Sequence, residues 1–250
     1  MRSFRLPEGD TVFKLAASLR PRLMGRQVTG GAARLPGPKV EALNGAAVER
    51  VEANGKHLLI GFDRGLTLHV HLGMKGRCFL LPSTPAVRPG ERVRLVLQFG
   101  DEQLVCRETP ITELARTRAL AVHPQLTTLG PDLLSPEFDI EEALRRFERV
   151  AGERISDALL NQRLMAGLGN VYKSEILFWE RTHPHERVGD LGDVRLRALI
   201  LRAQSLMDAN RTTFRRRTAP SGATGERHWV YGRASRPCGV CGTRIQVERV

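Results

Sequence analysis

The spacing of apolar residues predicts one helix near the start of the chain and several strands after it. Between residues 8 and 20, apolar residues recur at intervals of three and four, which places them on one face of a helix. These residues are Val12, Leu15, Ala16 and Leu19. From about residue 26 to 122 the pattern changes to short apolar runs split by glycine and proline, which is typical of β-strands. The turn FGDEQ between two alternating runs predicts a hairpin, and several such strands favour a sandwich or a barrel.

The second half of the chain has helical periodicity. The predicted helices are IEEALRRFERV, ERISDALLNQRLMA, NVYKSEILFWER and, longest of all, GDVRLRALILRAQSLMDANR. Ser135, Pro136 and Glu137 have the residue types of a cap for the first of these helices. Asn170 is predicted to cap the third helix. Beyond residue 212 the sequence is polar, basic and rich in glycine.

The charge of the chain indicates which class of partner it binds. The 250 residues carry a formal net charge of +12, and the sequence pI is about 10.6. Such an excess indicates an acidic partner, either nucleic acid or an anionic membrane. The last fifth of the chain is strongly basic without a helical stripe of bulky apolar residues, so nucleic acid is favoured over a membrane. The apolar runs are too short to cross a bilayer, and no secretory signal is found, which favours a cytoplasmic protein.

The four cysteines divide into two classes. Cys78 and Cys106 lie in apolar, strand-like segments and are predicted to be small core residues. Cys238 and Cys241 form a C-x-x-C pair with a glycine after each cysteine, which is typical of a zinc ribbon. A structural zinc ion takes four ligands, and the sequence ends at Val250 before a second pair occurs. The prediction is therefore an incomplete, truncated zinc-ribbon hairpin.

Two further stretches are candidates for contact with phosphate. The turn from Gly167 to Gly169, followed by Asn170, places backbone N–H groups and a side-chain amide at a helix start, which suits an anion. Lys173 adds a positive charge one turn on. A plain helical hairpin with a glycine linker explains this segment about equally well. Lys56 follows a glycine at the start of a strand, where it is either a solvated surface residue or a lysine directed at a phosphate or a carboxylate beside Pro7.

Six motifs together resemble one family. They are PEGDTV at 7–12, GKH at 55–57, HLGMKG at 71–76, GLGN at 167–170, WVYGR at 229–233 and the C-x-x-C pair. In this order and spacing they resemble the formamidopyrimidine-DNA glycosylase/endonuclease VIII family, and PEGDTV resembles its endonuclease VIII branch. The resemblance implies an α+β fold with three parts. These are a two-layered β-sandwich with a first helix at 1–124 (1–6 being an N-terminal extension), a helical domain with a helix–two-turn–helix at 125–217, and an incomplete zinc hairpin at 218–250.

The resemblance also implies roles for individual residues. Pro7 corresponds to the N-terminal proline that attacks C1′ of the sugar, and Glu8 to the general acid that opens the ribose. Lys56 corresponds to a lysine that binds phosphate beside the lesion. Asn170, helped by Lys173, corresponds to the phosphate contact of the helix–two-turn–helix.

Residues of the HLGM loop are expected to act on the DNA duplex. Met74 corresponds to the side chain that fills the gap left by a flipped nucleotide, and its glycine-rich surroundings favour an exposed loop over a core position. His71 is a candidate companion. Glu175 is either a support of the active site or a surface carboxylate. His183 and His185 are exposed candidates without an assigned role.

Six residues precede Pro7 in the sequence, and this bears on its chemistry. A proline nitrogen inside a peptide bond is a tertiary amide, which cannot form an iminium. The hypothesis is that Leu6 marks the true start of translation, read there as an initiator methionine that is later removed. Intact-mass analysis of the native protein tests this hypothesis.

Three functions follow as alternatives. The first is a bifunctional DNA glycosylase/AP lyase of base excision repair that removes oxidised bases, with pyrimidines favoured, and cuts the strand by β,δ-elimination. The second is a catalytically silent protein on the same fold that binds damaged or abasic DNA. The third is an unrelated basic protein that binds nucleic acid or the ribosome. For the first, the expected partner is damaged double-stranded DNA, the only cofactor is structural zinc, and the protein is a monomer near the bacterial nucleoid.

Overall fold

The computed structural model describes residues 6–213, 215–220 and 226–248. Within this part of the chain it has an α+β fold with eight strands in two antiparallel sheets, seven α-helices and one 3-10 helix. The chain forms two compact units, the first ending at Leu129 and the second beginning at Gly130. Among the described residues, no helix has the length and apolar character needed to cross a membrane.

The first unit holds all eight strands. Its helices are α1 (Gly9–Leu23), a 3-10 helix (Val40–Leu43), α2 (Thr117–Leu120) and α3 (Pro124–Thr127). Its strands are β1 (Gly30–Ala33), β2 (Val48–Asn54), β3 (His57–Phe62), β4 (Leu66–His71), β5 (Arg77–Pro82), β6 (Val93–Phe99), β7 (Glu102–Arg107) and β8 (Ile111–Arg116). One sheet has the order β1-β6-β7-β5 and the other the order β2-β3-β4-β8. The predicted FGDEQ hairpin is confirmed, because β6 and β7 pair across Gly100, whose φ of 77° a glycine adopts without strain.

One hydrophobic core joins both sheets with α1. The predicted stripe of α1 is confirmed, since Val12, Ala16 and Leu19 are buried there and Leu15 packs against them. Alternate residues of the strands supply most of the rest, as the two-residue period of a strand requires, and Val40 and Leu43 of the 3-10 helix add to it. Cys78 and Cys106 are cross-strand neighbours of β5 and β7 and lie in this core, as predicted.

The second unit is helical. Its helices are α4 (Ile140–Glu148), α5 (Ile155–Ala158), α6 (Asn170–Trp179) and α7 (Val188–Asn210). The longest helix lies where the periodicity predicts it, but Gly192, with φ 69° and ψ 165°, interrupts it near its start. The predicted helix ERISDALLNQRLMA is much shorter in the structure, where only the four residues of α5 are helical.

Two predicted caps are wrong. Asp139, rather than Ser135, caps α4, because its Oδ1 accepts a hydrogen bond of 2.9 Å from the Glu142 backbone N–H. The Ser135 hydroxyl accepts from the backbone N–H of Glu137 and closes a turn before the helix. At α6 the cap position is Gly169, and Asn170 is already the first helical residue.

Candidate functional site

Pro7 and Glu8 lie at the beginning of α1. Pro7 is partly exposed, whereas Glu8 is 1% exposed. The backbone carbonyl of Glu8 accepts hydrogen bonds from the N–H groups of Thr11 and Val12 at 2.9 and 3.2 Å, which starts the helix. Pro7 and the buried side chain of Glu8 are therefore neighbours at the start of α1.

Lys56 lies in the tight turn between β2 and β3. Gly55, with φ 56°, makes this turn possible. Burial, followed by the charges of neighbouring groups that include Lys56, lowers the pKa of His57 from 6.5 to about 3. Burial and then the Lys56 ammonium group also lower the pKa of His71. Lys56 is therefore close to two imidazole rings that are neutral at neutral pH, and α1 packs against the strands β2 and β3 that hold its turn.

Met74 lies in the turn from β4 to β5, where the chain passes from one sheet to the other. Its side chain is 69% exposed, so it is not a core methionine. Gly73 has φ 60°, and a Cβ atom at this position would lie 2.7 Å from Cγ of Pro110. The Gly73 N–H donates to Nδ1 of His71 at 3.2 Å. The turn thus exposes the apolar side chain of Met74 to solvent. Its backbone conformation requires glycine at position 73.

A cluster of imidazoles and one carboxylate lies on the polar face of the second sheet, and the sequence analysis missed it. Nδ1 of His57 is 2.7 Å from Nε2 of His69. Nδ1 of His69 and Nε2 of His123 lie 2.5 and 3.0 Å from Oε1 of Glu113. Burial lowers the pKa of His69, and the Glu113 carboxylate opposes this effect. The alternation His69-Val70-His71 indicates two histidines on one strand face, but nothing local in the sequence connects Glu113 and His123 to them.

In the second unit, the Gly167–Gly169 turn is held from one side by Gln162. The Gln162 amide oxygen accepts from the Gly167 N–H at 3.0 Å, and its amide nitrogen donates to the Leu168 carbonyl at 2.9 Å. Gly167 has φ 101°, which favours glycine. Asn170 is exposed at the first position of α6, and Lys173 follows one turn later, partly buried.

Glu175 is fully buried, which rules out the interpretation as a surface carboxylate. Its two oxygens accept hydrogen bonds from the backbone N–H groups of three consecutive residues: Trp229, Val230 and Tyr231, at 2.7, 2.8 and 2.7 Å. The hydroxyl of Thr218 donates to the same carboxylate. Glu175 therefore anchors the WVYGR segment to α6, although more than 50 residues separate them along the chain.

Cys238 and Cys241, the predicted zinc ligands, lie in one tight turn. The Val240 N–H donates to Sγ of Cys238 at 3.4 Å, the Cys238 N–H donates to the Thr243 carbonyl, and Gly242 turns with φ 74°. Hydrogen bonds from Thr243, with further hydrogen bonds, lower the pKa of the Cys241 thiol. Two thiols do not complete the four-ligand set of a structural zinc ion. In the part of the chain that the structure describes, no third potential ligand joins them.

The two units divide the predicted site residues between them. Pro7, Glu8, Lys56, His71 and Met74 belong to the first unit, and Asn170, Lys173, Cys238 and Cys241 to the second. His183 and His185 stack edge to face in the second unit, with ring centroids 5.2 Å apart.

Comparison with known proteins places the chain in a family. Residues 6–109 match the formamidopyrimidine-DNA glycosylase N-terminal domain, and residues 129–213 match the H2TH domain of formamidopyrimidine-DNA glycosylase. A probable endonuclease 8 2 of Streptomyces coelicolor is 38% identical over 97% of this chain and 87% of its own length. The chain belongs to the formamidopyrimidine-DNA glycosylase/endonuclease VIII family. The resemblance inferred from the six motifs is thereby confirmed.

Other members of this glycosylase/AP lyase family cover nearly the whole chain. The DNA-(apurinic or apyrimidinic site) lyase Nei2 of Mycolicibacterium smegmatis is 37% identical over 98% of this chain and 94% of its own length. The formamidopyrimidine-DNA glycosylase of Gloeobacter violaceus is 32% identical over 98% and 93%.

Solved structures of the family share the fold. The formamidopyrimidine-DNA glycosylase of Lactococcus lactis, in a complex with DNA containing N7-benzyl-Fapy-dG, aligns with a TM-score of 0.81 and 23% identity. This alignment covers 98% of the present chain and 95% of the Lactococcus chain. The same enzyme bound non-covalently to abasic-site DNA also gives 0.81, with 97% and 94% covered.

Proposed function

We propose that this chain is a bifunctional DNA glycosylase/AP lyase that removes oxidised bases, preferentially pyrimidines, from damaged double-stranded DNA. The observation that carries the proposal is the Pro7–Glu8 pair at the start of α1 in a chain of this family. Damaged DNA is chromosomal, so the protein works in the bacterial cytoplasm at the nucleoid. We further propose that it acts as a monomer.

The nucleophile is the nitrogen of Pro7 in a chain that begins at Pro7. A terminal amine has an ordinary pKa of about 7.7–8.0, so a substantial fraction is unprotonated near neutral pH. The nitrogen bonds to C1′, the bond from C1′ to the base breaks, and the base leaves with the bonding electron pair. The proline nitrogen loses its proton to solvent, and its lone pair then breaks the C1′–O4′ bond, which opens the sugar ring and gives an iminium between C1′ and the nitrogen. The iminium acidifies the C2′ proton, whose removal expels the 3′ phosphate, and a second elimination expels the 5′ phosphate.

Glu8 supplies the proton for this sequence. It protonates the ring oxygen O4′ as the sugar opens, which keeps the electron pair from reclosing the ring. Its burial at the helix start holds the carboxyl group next to residue 7. Lys56 binds a phosphate beside the lesion. Because the neighbouring rings of His57 and His71 are neutral, Lys56 supplies the positive charge at that turn.

Residues in both units hold the DNA. Met74 inserts into the gap left by the extruded nucleotide, with His71 beneath its turn. Asn170 and Lys173 bind phosphate at the start of α6 as part of a helix–two-turn–helix. We retain the division into domains at 1–124, 125–217 and 218–250, with the last one a zinc-ribbon hairpin in which Cys238 and Cys241 supply two of four zinc ligands.

One fact favours a second candidate function, a silent binder of damaged or abasic DNA. In this sequence Pro7 is preceded by six residues, so its nitrogen is an amide. With those residues attached, the same surface binds damaged DNA without forming a covalent bond.

Borohydride trapping separates the two candidates. A chain that begins at Pro7 is expected to become covalently linked to duplexes containing an abasic site or thymine glycol, because borohydride reduces the iminium to a stable amine. The full sequence, with the same residues and a blocked nitrogen, is the matched control and is expected to give no adduct. A panel with thymine glycol and 8-oxoguanine opposite each base measures the preference for pyrimidines. Absence of an adduct from the Pro7 chain would contradict the enzymatic function.

Replacing Met74 with alanine tests the wedge. Because the side chain is exposed, the free energy of unfolding is expected to change by less than about 0.5 kcal/mol. Base extrusion costs a few kcal/mol, and loss of the apolar plug is expected to slow single-turnover excision about tenfold. Leu35→Ala, which removes another exposed apolar side chain of the first unit, is the control and is expected to leave excision unchanged. Equal excision rates for the two variants would exclude Met74 as the wedge.

A further inference from the structure

We propose that His69, Glu113 and His123 form a binding site for Zn²⁺ in the first unit. Within residues 6–213, 215–220 and 226–248, these three are the one group of three or more potential ligands whose ligand atoms converge, all within 4.8 Å of one another. None of them takes part in the chemistry or the DNA contacts proposed above, so the site stands independently of that function.

The sheet register brings two of the ligands together. His69 on β4 and Glu113 on β8 are directly opposite each other in antiparallel pairing, so their side chains project from the same face of the sheet. His123 lies between α2 and α3 and supplies the third ligand from outside the sheet. A bound ion would therefore tie the segment after β8 back onto strands β4 and β8.

The distances suit a small ion after short movements of the ligating side chains, because the three ligand atoms already lie within 4.8 Å of one another. Zinc lies about 2.0–2.2 Å from imidazole nitrogen and carboxylate oxygen, which places tetrahedral ligand atoms about 3.3 Å apart. Oε1 of Glu113 is 3.0 Å from Nε2 of His123 and 2.5 Å from Nδ1 of His69. The carboxylate, whose side chain is 38% exposed, needs to withdraw from His69 by about 0.8 Å. The protons that now bridge these contacts are the ones a divalent ion displaces.

The hydrogen bonds around the three ligands resemble those in known protein metal sites. A zinc-bound histidine usually has its second ring nitrogen held by a hydrogen bond, which fixes the ring. His57 provides this contact, since its Nδ1 is 2.7 Å from Nε2 of His69. The buried Nδ1 of His123 has no hydrogen-bond partner among the described residues, so the hydrogen-bonded cluster alone leaves a polar atom unsatisfied.

The donor set indicates which ion binds and how. Two imidazoles and one carboxylate form a common set for zinc with an open fourth position for water. Imidazole also binds Co²⁺, which serves as a spectroscopic substitute. The Cys238–Cys241 knuckle of the second unit offers thiolates instead, so the two metal sites differ in their spectra.

Metal titration of the full, untagged chain tests the proposal. After removal of metal with a chelator, Co²⁺ is expected to produce visible d–d bands that do not depend on the thiolates of Cys238 and Cys241, and Zn²⁺ is expected to displace it. His123→Ala is expected to abolish these bands and to weaken Zn²⁺ binding at least about 100-fold, because loss of a contact from outside the ligand shell already costs 10–100-fold. His57→Gln, which removes only the orienting contact, is expected to weaken binding about tenfold.

Two controls identify the site. His183→Ala removes an exposed histidine of the second unit and is expected to leave the titration unchanged. The double variant Cys238→Ser, Cys241→Ser is expected to keep the visible bands. Equal Zn²⁺ affinity of the parent chain and His123→Ala, or loss of the bands in the double cysteine variant, would overturn the proposal. If His123→Ala does not fold, Glu113→Gln on a partly exposed side chain gives the same test.

Discussion

Replacing Glu175 with glutamine is expected to lower the free energy of unfolding by about 3 kcal/mol, because a buried acceptor becomes a donor. The carboxylate accepts from the N–H groups of Trp229, Val230 and Tyr231 and from the hydroxyl of Thr218. In the glutamine variant one oxygen remains, and the new NH₂ group faces donors that then lack a partner. Each unsatisfied buried donor costs about 1–3 kcal/mol.

Urea unfolding followed by tryptophan fluorescence measures this effect. The ring of Trp229 meets that of Trp179 edge to face with centroids 5.9 Å apart, so release of the WVYGR segment from α6 changes the signal directly. Glu180→Gln is the matched control. It breaks a partly exposed pair with Arg202 at the end of the same helix and is expected to cost less than about 1 kcal/mol. Equal losses for the two variants would show that Glu175 does not anchor the segment.

Replacing Glu8 with glutamine in a chain that begins at Pro7 is expected to slow base excision by about 10²–10⁴-fold, the range for loss of a general acid. An amide has nearly the same shape as the carboxyl group but does not deliver a proton. The helix start is retained, because the backbone carbonyl of Glu8, and not its side chain, accepts from Thr11 and Val12. The variant is therefore expected to fold.

Single-turnover excision with saturating enzyme measures the rate without interference from binding. Glu148→Gln removes the same charge from an exposed site on α4 and controls for the change in attraction to DNA. If Glu8→Gln and Glu148→Gln excise at the same rate, Glu8 is not the proton donor.

Local patterns predicted the elements of this fold well. The period of α1, the hairpin of β6 and β7 and the core positions of Cys78 and Cys106 depend on residues that are close in sequence or on simple burial. The caps are harder to predict than the helices themselves, because several residues near one helix start compete for the same role. Asp139 displaced Ser135, and Gly169 took the cap position expected of Asn170.

The contacts that organise the candidate sites were not predictable in the same way. The hydrogen bonds from residues 229–231 to Glu175 link segments more than 50 positions apart. The cluster of His69, Glu113 and His123 needs the register of two strands that are not neighbours in sequence. Family motifs made Pro7, Glu8 and Lys56 candidates, because such motifs record the result of tertiary folding, which the periodicity of a single chain does not.

The buried position of Arg233 affects how the basic character of the last fifth of the chain is to be understood. Its guanidinium donates to the backbone carbonyls of Trp229 and Pro237 and is largely screened from solvent. Release of counterions from DNA depends on side-chain cations that reach the phosphate backbone. The Arg233 guanidinium instead stabilises its own loop through these hydrogen bonds. The formal charge of this region therefore overstates the number of ions that binding displaces.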